Sequence, residues 1–456
     1  MKYLLFISAV LGMLPSVMIL VCERYLIRFA TLGLMLPLVL FNQTAINFFS
    51  KETYRGTARG MEISIVYIVA LIIICTVFTI KGIQNPFPDA GSRLYLLYFL
   101  LCLPSLKTAG TFSVCIFELW KMVMIYLVFL AVYYYLKFSE GDLDIIIYGL
   151  GLLVTINFFN MLYQHLIGKY QPHGIFPHQN SMAMFMMMAG PIFFARYFNH
   201  RENFKSTLFF IVFGLASVAL VRTYSRGAIA CYPLCAMIIV VFSLRYTFSI
   251  RKMYMVSVLA LLAVVATIYF MPRVIQRFQN APKESAETRK DLAMVAKNMI
   301  VDKPLRGVGI NNWGYAVNPP YEYSLERREK NKISEDARDG IVETVYLLIA
   351  AECGIPCLLA FLCWLGYYWV ISFRLIKKLV GTPYLYFPIG TLAGLTGVML
   401  QSTLEWVLKQ QMNYILMMII FAMLSYLNRY CYKFIPKETK TDSADNNATD
   451  ADPTAV

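Results

Sequence analysis

Apolar runs occupy most of this chain, separated by short polar segments. They fall at residues 3–21, 25–48, 61–80, 94–106, 112–136, 143–163, 182–198, 207–221, 228–244, 253–271, 346–373, 384–406 and 412–430. A helix needs about 20 apolar residues to cross a bilayer, so these runs predict membrane spans, with 94–106 the short one. The fold class expected is therefore all-α, a polytopic helical membrane protein with about 12–13 transmembrane helices. The first run begins with Met1-Lys2, which resembles a secretory leader. No small-residue cleavage site precedes Glu23 and a second run follows at once, so the segment reads as a retained membrane helix.

One long polar insertion, 272–343, interrupts the pattern and divides the chain. Residues 1–271 form an amino-terminal helical block, 272–343 a large loop, 344–432 a carboxyl-terminal helical block and 433–456 a polar tail expected to be disordered. Within the insertion, Thr288-Arg289-Lys290-Asp291 has capping-box spacing, and Leu292, Val295, Ala296 and Met299 recur at helical intervals before Pro304. This predicts an amphipathic helix lying on or over the membrane face. The stretch 323–338 is charged all round and reads as a solvated helix or coil.

Composition agrees with the pattern. The 456 residues are 59% hydrophobic and 15% charged, which excludes a soluble globular domain and a disordered chain. The net charge of +14 needs locating before it is interpreted. The insertion carries thirteen Lys/Arg against eleven Asp/Glu and is nearly neutral. Much of the excess lies in small groups between apolar runs, at Arg196/Arg201/Lys205, Arg245/Arg251/Lys252 and Arg374/Lys377/Lys378. That is how positive charge distributes on the cytoplasmic side of a membrane protein, so nucleic acid is not an expected partner. The loops 169–180 and 221–226 and the long insertion then share the opposite, periplasmic side. The loop 51–59 breaks this alternation if every run spans, which leaves the amino-terminal parity open. The ten cysteines lie in or beside apolar segments and read as buried apolar filler. Cys231/Cys235 and Cys353/Cys357 have i,i+4 spacing, but no His or carboxylate set completes a metal site, so no metal and no cofactor are expected.

Three polar clusters converge on the insertion's side. Gln171-Pro172-His173-Gly174-Ile175-Phe176-Pro177-His178-Gln179-Asn180 opens the seventh run, with Asn180 placed as a helix N-cap and His178 close by. Arg222-Thr223-Tyr224-Ser225-Arg226-Gly227-Ala228 offers two guanidiniums, either snorkelling anchors or anion ligands. Arg226 before Gly227, at the start of a helix, suits a diphosphate. The third cluster comprises Arg289, Lys303-Pro304-Leu305-Arg306-Gly307-Val308-Gly309-Ile310-Asn311-Asn312-Trp313, Val342-Glu343-Thr344-Val345-Tyr346-Leu347 and Glu352. Glu352, about two turns into an apolar run, is expected to be paired or to face a polar cavity.

In this order and on this hydropathy profile, these residues resemble the bacterial O-antigen ligase/O-antigen polymerase superfamily. The likeness rests on Gly174 to Asn180, Ser225-Arg226-Gly227-Ala228, Arg289, Pro304, Gly307-Val308-Gly309, Asn312-Trp313, Tyr346-Leu347, Ala351-Glu352 and Gly354. It covers most of the chain from about the third span onward. The resemblance implies a multi-pass glycosyltransferase of the bacterial inner membrane acting in lipopolysaccharide or other polysaccharide biosynthesis. Its donor would be a glycan on undecaprenyl diphosphate, taken up at the periplasmic face among membrane lipids. Its acceptor would be lipid A–core for a ligase, or another carrier-linked repeat unit for a polymerase, with neither cofactor nor metal.

The resemblance further implies that Arg226 and Arg289, with Arg222 beside them, hold the diphosphate, and that Asn180, Asn312, Tyr346 and Glu352 are further site candidates. Ligases place a His-Asn pair just before the Tyr-Leu of the post-loop span; here those positions are Glu343 and Thr344. Glu343 is then the candidate catalytic base, with His178 as the alternative, because a partly buried carboxylate rises toward a useful pKa. A transporter or flippase of a lipid-linked or anionic substrate is the competing class. Such carriers commonly show internal repeats with broken helices in matching positions, and no repeat is visible here.

Overall fold

A computed structural model describes residues 2–39, 44–199, 203–279, 283–318, 323–331, 333 and 339–435. The expectation of a disordered tail falls mostly on residues 436–456, outside the described ones. The amino-terminal part comprises α1 (Lys2–Leu11), α2 (Met13–Cys22) and α3 (Ile27–Met35), then a two-stranded antiparallel ribbon, β1 (Ile46–Phe48) with β2 (Met61–Ile63). The helices α4 (Ile65–Lys81), α5 (Ala90–Cys102), α6 (Phe112–Phe138), α7 (Leu143–Leu166) and α8 (Gln179–Asn199) follow. Next come α9 (Asn203–Arg222), α10 (Arg226–Tyr246) and α11 (Ile250–Gln279). The insertion holds α12 (Lys283–Asp302), α13 (Trp313–Val317) and α14 (Leu325–Lys330), and the chain closes with α15 (Val345–Cys353), α16 (Ile355–Lys378), α17 (Tyr386–Gln401) and α18 (Gln411–Tyr430).

The protein is an all-α polytopic membrane protein. Six described helices, α6, α7, α8, α10, α16 and α18 with its following turn, are long and apolar enough to span, and the α1–α2 pair, bent by 45°, makes a seventh if it is one span. Several other expected spans are shorter or broken. The run 25–48 is not one helix: α3 ends at Met35, a 3-10 turn at Leu36–Leu38 follows, and the chain is extended by Ile46. The run 346–373 breaks at Gly354, whose φ of +86° ends α15 and starts α16 in a new direction. Apolar composition alone does not separate a straight span from two short helices.

The break in 25–48 also accounts for the parity of the loop 51–59. Tyr54 stacks on Tyr315, and the Asn311 carboxamide accepts from Thr57 and Ala58 backbone N–H groups and donates to the carbonyls of Ala58 and Val114, both at 2.8 Å. The loop therefore lies on the same face as the insertion. In the insertion, α12 starts at Lys283, earlier than the Thr288 cap predicts, and buries Leu292, Val295, Ala296 and Met299 as expected. On α14, Arg328 is buried on Asp339 at 3.2 Å rather than solvated, because Arg327 and Arg328 share that carboxylate. Residues 332 and 334–338 of the same stretch lie outside the described ones.

At the centre stands α8, almost wholly buried among α9, α10, α17 and α18. Gly390, Gly394 and Gly397 put a small-residue stripe of α17 against it. A Cβ at Gly390 would lie 2.6 Å from the Ile192 Cα, so only glycine lets the two backbones approach this closely. Of the presumed topology charges, Arg196 is buried on Asp144 (2.8 Å) and the Tyr386 hydroxyl (2.9 Å), and Lys252 on Asn199 (2.8 Å). These two tie helices together rather than marking a loop. Arg201 lies outside the described residues.

A buried ionic network joins the two helical blocks. Lys409 Nζ lies 3.3 Å from Glu118 and 3.4 Å from Glu352, and Lys121 pairs with Glu118 at 2.6 Å and donates to the Lys409 carbonyl at 3.1 Å. Glu352 also accepts the Trp313 backbone N–H at 3.3 Å. It is paired, as its position in an apolar run requires. Removing one member leaves an opposite charge buried and uncompensated. Lys409→Ala is therefore expected to cost about 3–5 kcal/mol of stability, read as a lowered thermal midpoint in detergent, with Glu352→Gln in the same chain recovering part of the loss.

Candidate functional site

On the insertion's face a cavity of about 380 Å³ opens among the ends of α8 and α10, the side of α12, and the segments before α15 and α18. Each wall has a local cause. On α7, the Gln164 carboxamide accepts the backbone N–H groups of His173 (2.8 Å) and Gly174 (3.0 Å) and donates to the Gly174 carbonyl (2.7 Å). This holds the loop before α8. That helix starts at Gln179, one residue before the expected cap, and His178 Nδ1 accepts the Asn180 N–H at 3.2 Å. The histidine, not Asn180, occupies the capping position, while Asn180 turns into the cavity.

Between α9 and α10 the chain turns in three residues. Tyr224 adopts a left-handed φ of +52°, and the Thr223 hydroxyl accepts the Ser225 N–H at 3.2 Å. Arg226 and Gly227 then form the first turn of α10 and line the cavity, with the helix's amino-terminal N–H groups behind them. A side chain at Gly227 would press on Leu404, its Cβ 3.1 Å from Cδ1.

Opposite, Arg289 projects from α12. Its Nη2 pairs with Glu343 and, at 3.3 Å, with Glu405. Glu343 is set beside Glu405 because the Thr344 hydroxyl and the Val345 N–H both donate to the Ser402 carbonyl at 3.2 Å. Glu405 is the more buried carboxylate, with 8% of its side chain exposed against 36% for Glu343. Gln410 completes the floor through a hydrogen bond from Ser181. Within the cavity lining, the buried atoms without a hydrogen-bond partner include Arg289 Nε, the Ser225 hydroxyl and Glu343 Oε2, the last held by its ion pair with Arg289.

The charges perturb one another. Burial pushes Glu405 up to about 7, and the Glu343 charge adds to this against Arg289 and a hydrogen bond with Asn180. Burial also raises Glu343, while Arg289 and Arg226 pull it down. His178 is lowered by burial, then by His173 and Arg289, so it stays a neutral imidazole able to accept a proton. The arrangement offers two cations for a polyanion and three groups that can take a proton.

Of the residues singled out in the sequence, the cavity gathers Arg226, Arg289, Glu343, His178 and Asn180. Arg222 is not brought there; its guanidinium meets His165 Nε2 at 3.1 Å. Asn312 is occupied with the Thr111 N–H (2.9 Å), Cys115 and the Ile310 carbonyl. The Tyr346 hydroxyl donates to the Met399 carbonyl at 2.8 Å, and Glu352 belongs to the Lys409 network. Gly307 and Gly309 dock the loop by backbone pairing, with the Val308 and Gly309 N–H groups on the Ala351 and Glu352 carbonyls at 2.9 Å. Cys353 and Cys357 do not share one helix; across the Gly354 break they meet Cys102, with Cys102 and Cys357 sulfurs 3.4 Å apart. Sequence reasoning missed Glu405 and Gln410. The available signal was a carboxylate near the end of the run 384–406, but α17 stops at Gln401, so Glu405 is already in a loop.

No curated protein matches the chain. Residues 211–362 match the family model described as O-antigen ligase. That stretch supplies Arg226, Arg289 and Glu343 to the cavity, on the scaffold of a multi-pass bacterial membrane protein. Over that third of the chain the protein is similar to the O-antigen ligase family, which supports the resemblance to the O-antigen ligase/polymerase superfamily.

Proposed function

We propose that the chain is a ligase-type glycosyltransferase that moves a glycan from undecaprenyl diphosphate to lipid A–core or a similar acceptor at the periplasmic face. The observation that carries this reading is the convergence of Arg226 and Arg289 with Glu343 in one cavity. In the reaction, Glu343 takes the proton of the acceptor hydroxyl. The acceptor oxygen bonds to the anomeric carbon as the bond from that carbon to the diphosphate oxygen breaks. The diphosphate leaves with the electron pair, and the two guanidiniums and the α10 amino terminus stabilise its growing charge. Guanidiniums suit this role because their paired N–H donors match phosphate oxygens in a desolvated site.

Arg226→Ala and Arg289→Ala are each expected to lower glycan transfer by at least about 100-fold while the protein stays folded and membrane-inserted, measured with a purified carrier-linked donor. Wild-type rates in either variant would remove the diphosphate clamp. Glu343→Gln should lower the rate about 100-fold or more while the donor still binds at least as tightly as to wild type, and retained activity would move the base to His178, tested by His178→Ala. Deletion of the gene should leave short lipid A–core with glycan stranded on its carrier. Core capped by a single repeat would instead identify a polymerase, and unchanged glycans with altered export a transporter.

A further inference from the structure

One guanidinium serves two carboxylates in this cavity. Glu343 and Glu405 both reach Nη2 of Arg289, one from the segment before α15 and the other from the loop after α17. The remaining groups facing them add one cation only. From α10 comes Arg226; from the start of α8 come His178, kept neutral by burial and by Arg289, and the uncharged Asn180; from the segment before α18 comes Gln410. Lys409, four residues after Glu405, does not line the cavity and is occupied by Glu118 and Glu352. Without a ligand and with both carboxylates ionised, the cavity is therefore balanced, with two guanidiniums against two carboxylates.

A lipid diphosphate upsets that balance. It brings at least two negative charges and needs the same guanidinium nitrogens that the carboxylates hold. We propose that Glu405 is the proton-binding partner of Glu343, and that the pair takes up one proton when the donor's diphosphate draws Arg289 to itself. This rests on the reading of the cavity as a diphosphate site. Two carboxylates that lose their shared counter-ion in a site of low dielectric do not both stay ionised. Glu405 holds the proton because it is the more deeply buried of the two and has least water to solvate a charge. Its elevation by burial to about 7 agrees with this assignment. Glu343, the more exposed of the two and lining the open cavity, remains the carboxylate that meets the acceptor hydroxyl. Proton uptake at Glu405 lowers the repulsion between the pair and the incoming diphosphate, and the proton leaves when the product diphosphate departs and Arg289 returns.

The test is calorimetric, on the full chain in nanodiscs, with farnesyl diphosphate as the probe. Titrations at about pH 8 in buffers of different ionisation enthalpy give the protons bound per ligand, and at that pH Glu405 is mostly ionised before the ligand arrives. Wild type should take up up to about one proton more than Glu405→Gln, while Glu405→Asp restores the uptake. Glu343→Gln, which leaves a single carboxylate beside Arg289, should lower the uptake as well and stands in if Glu405→Gln does not fold. Equal proton counts in wild type and either Gln variant overturn the inference while leaving the diphosphate site intact. Failure of wild type to bind farnesyl diphosphate at all overturns both.

Discussion

The site depends on a lysine that does not belong to it. Lys409 sits between Glu118 of α6 and Glu352 of α15, with Lys121 donating to its carbonyl. Each of these charges alone would cost several kcal/mol in an apolar interior, so the four are stable only together and only in one geometry. That geometry fixes the chain between Ser402 and Gln411, where a long helix would otherwise be free to continue. With Lys409 held from below and Asn413 closing on the Val407 carbonyl at 3.0 Å, the preceding residues project upward as a loop. Glu405 and Gln410 are thereby presented to the cavity, and Ser402 offers the carbonyl that seats Thr344 and hence Glu343.

The insertion is anchored by backbone pairing as well as by side chains. The turn from Pro304 to Gly309 lays its amides on the last carbonyls of α15, and the Ile355 N–H bonds the Pro304 carbonyl at 2.8 Å across the Gly354 break. Gly307 and Gly354 approach so closely that a Cβ on either would lie within 2.5 Å of the facing backbone. Asn311 then pins the loop from Tyr54 to Ala58 beneath the insertion. A helix held this firmly at its carboxyl end carries Arg289 to a fixed position over the membrane-embedded half.

Much of this was legible in the sequence, and the failures have a common cause. Arg226, Glu343 and His178 were recoverable because charged or polar residues near the ends of apolar runs on one face must either meet water or meet each other, whereas Arg289, inside the insertion, was singled out through the family resemblance. Asn312, Tyr346 and Glu352 carry the same signature, a polar side chain within or beside an apolar run. Protein groups rather than an open cavity satisfy them, and sequence alone does not distinguish the two. Glu405 was hidden for the opposite reason. It was absorbed into an apolar run whose length suited a span, and only the early end of α17 at Gln401 exposes it. The run 25–48 failed similarly, since apolarity records what a segment is buried in and not whether its helix is continuous.

The departure at Glu343-Thr344 acquires a physical meaning in this setting. The Thr344 hydroxyl bonds the Ser402 carbonyl, so this position is a structural joint, and a carboxylate beside it necessarily falls near Glu405 and Arg289. A neutral imidazole at position 343 would leave Arg289 with one carboxylate and an unspent share of its charge. A glutamate there neutralises the guanidinium in the resting state, and any anion entering the cavity must compete for it. Under the proposed function the site discriminates by charge: a singly charged anion would gain too little from Arg226 to displace two carboxylates from Arg289. A diphosphate would carry charge enough for both guanidiniums that line the cavity. In the proposed reaction, the residue that replaces the ligases' histidine thus serves as base and also raises the threshold for occupying the site.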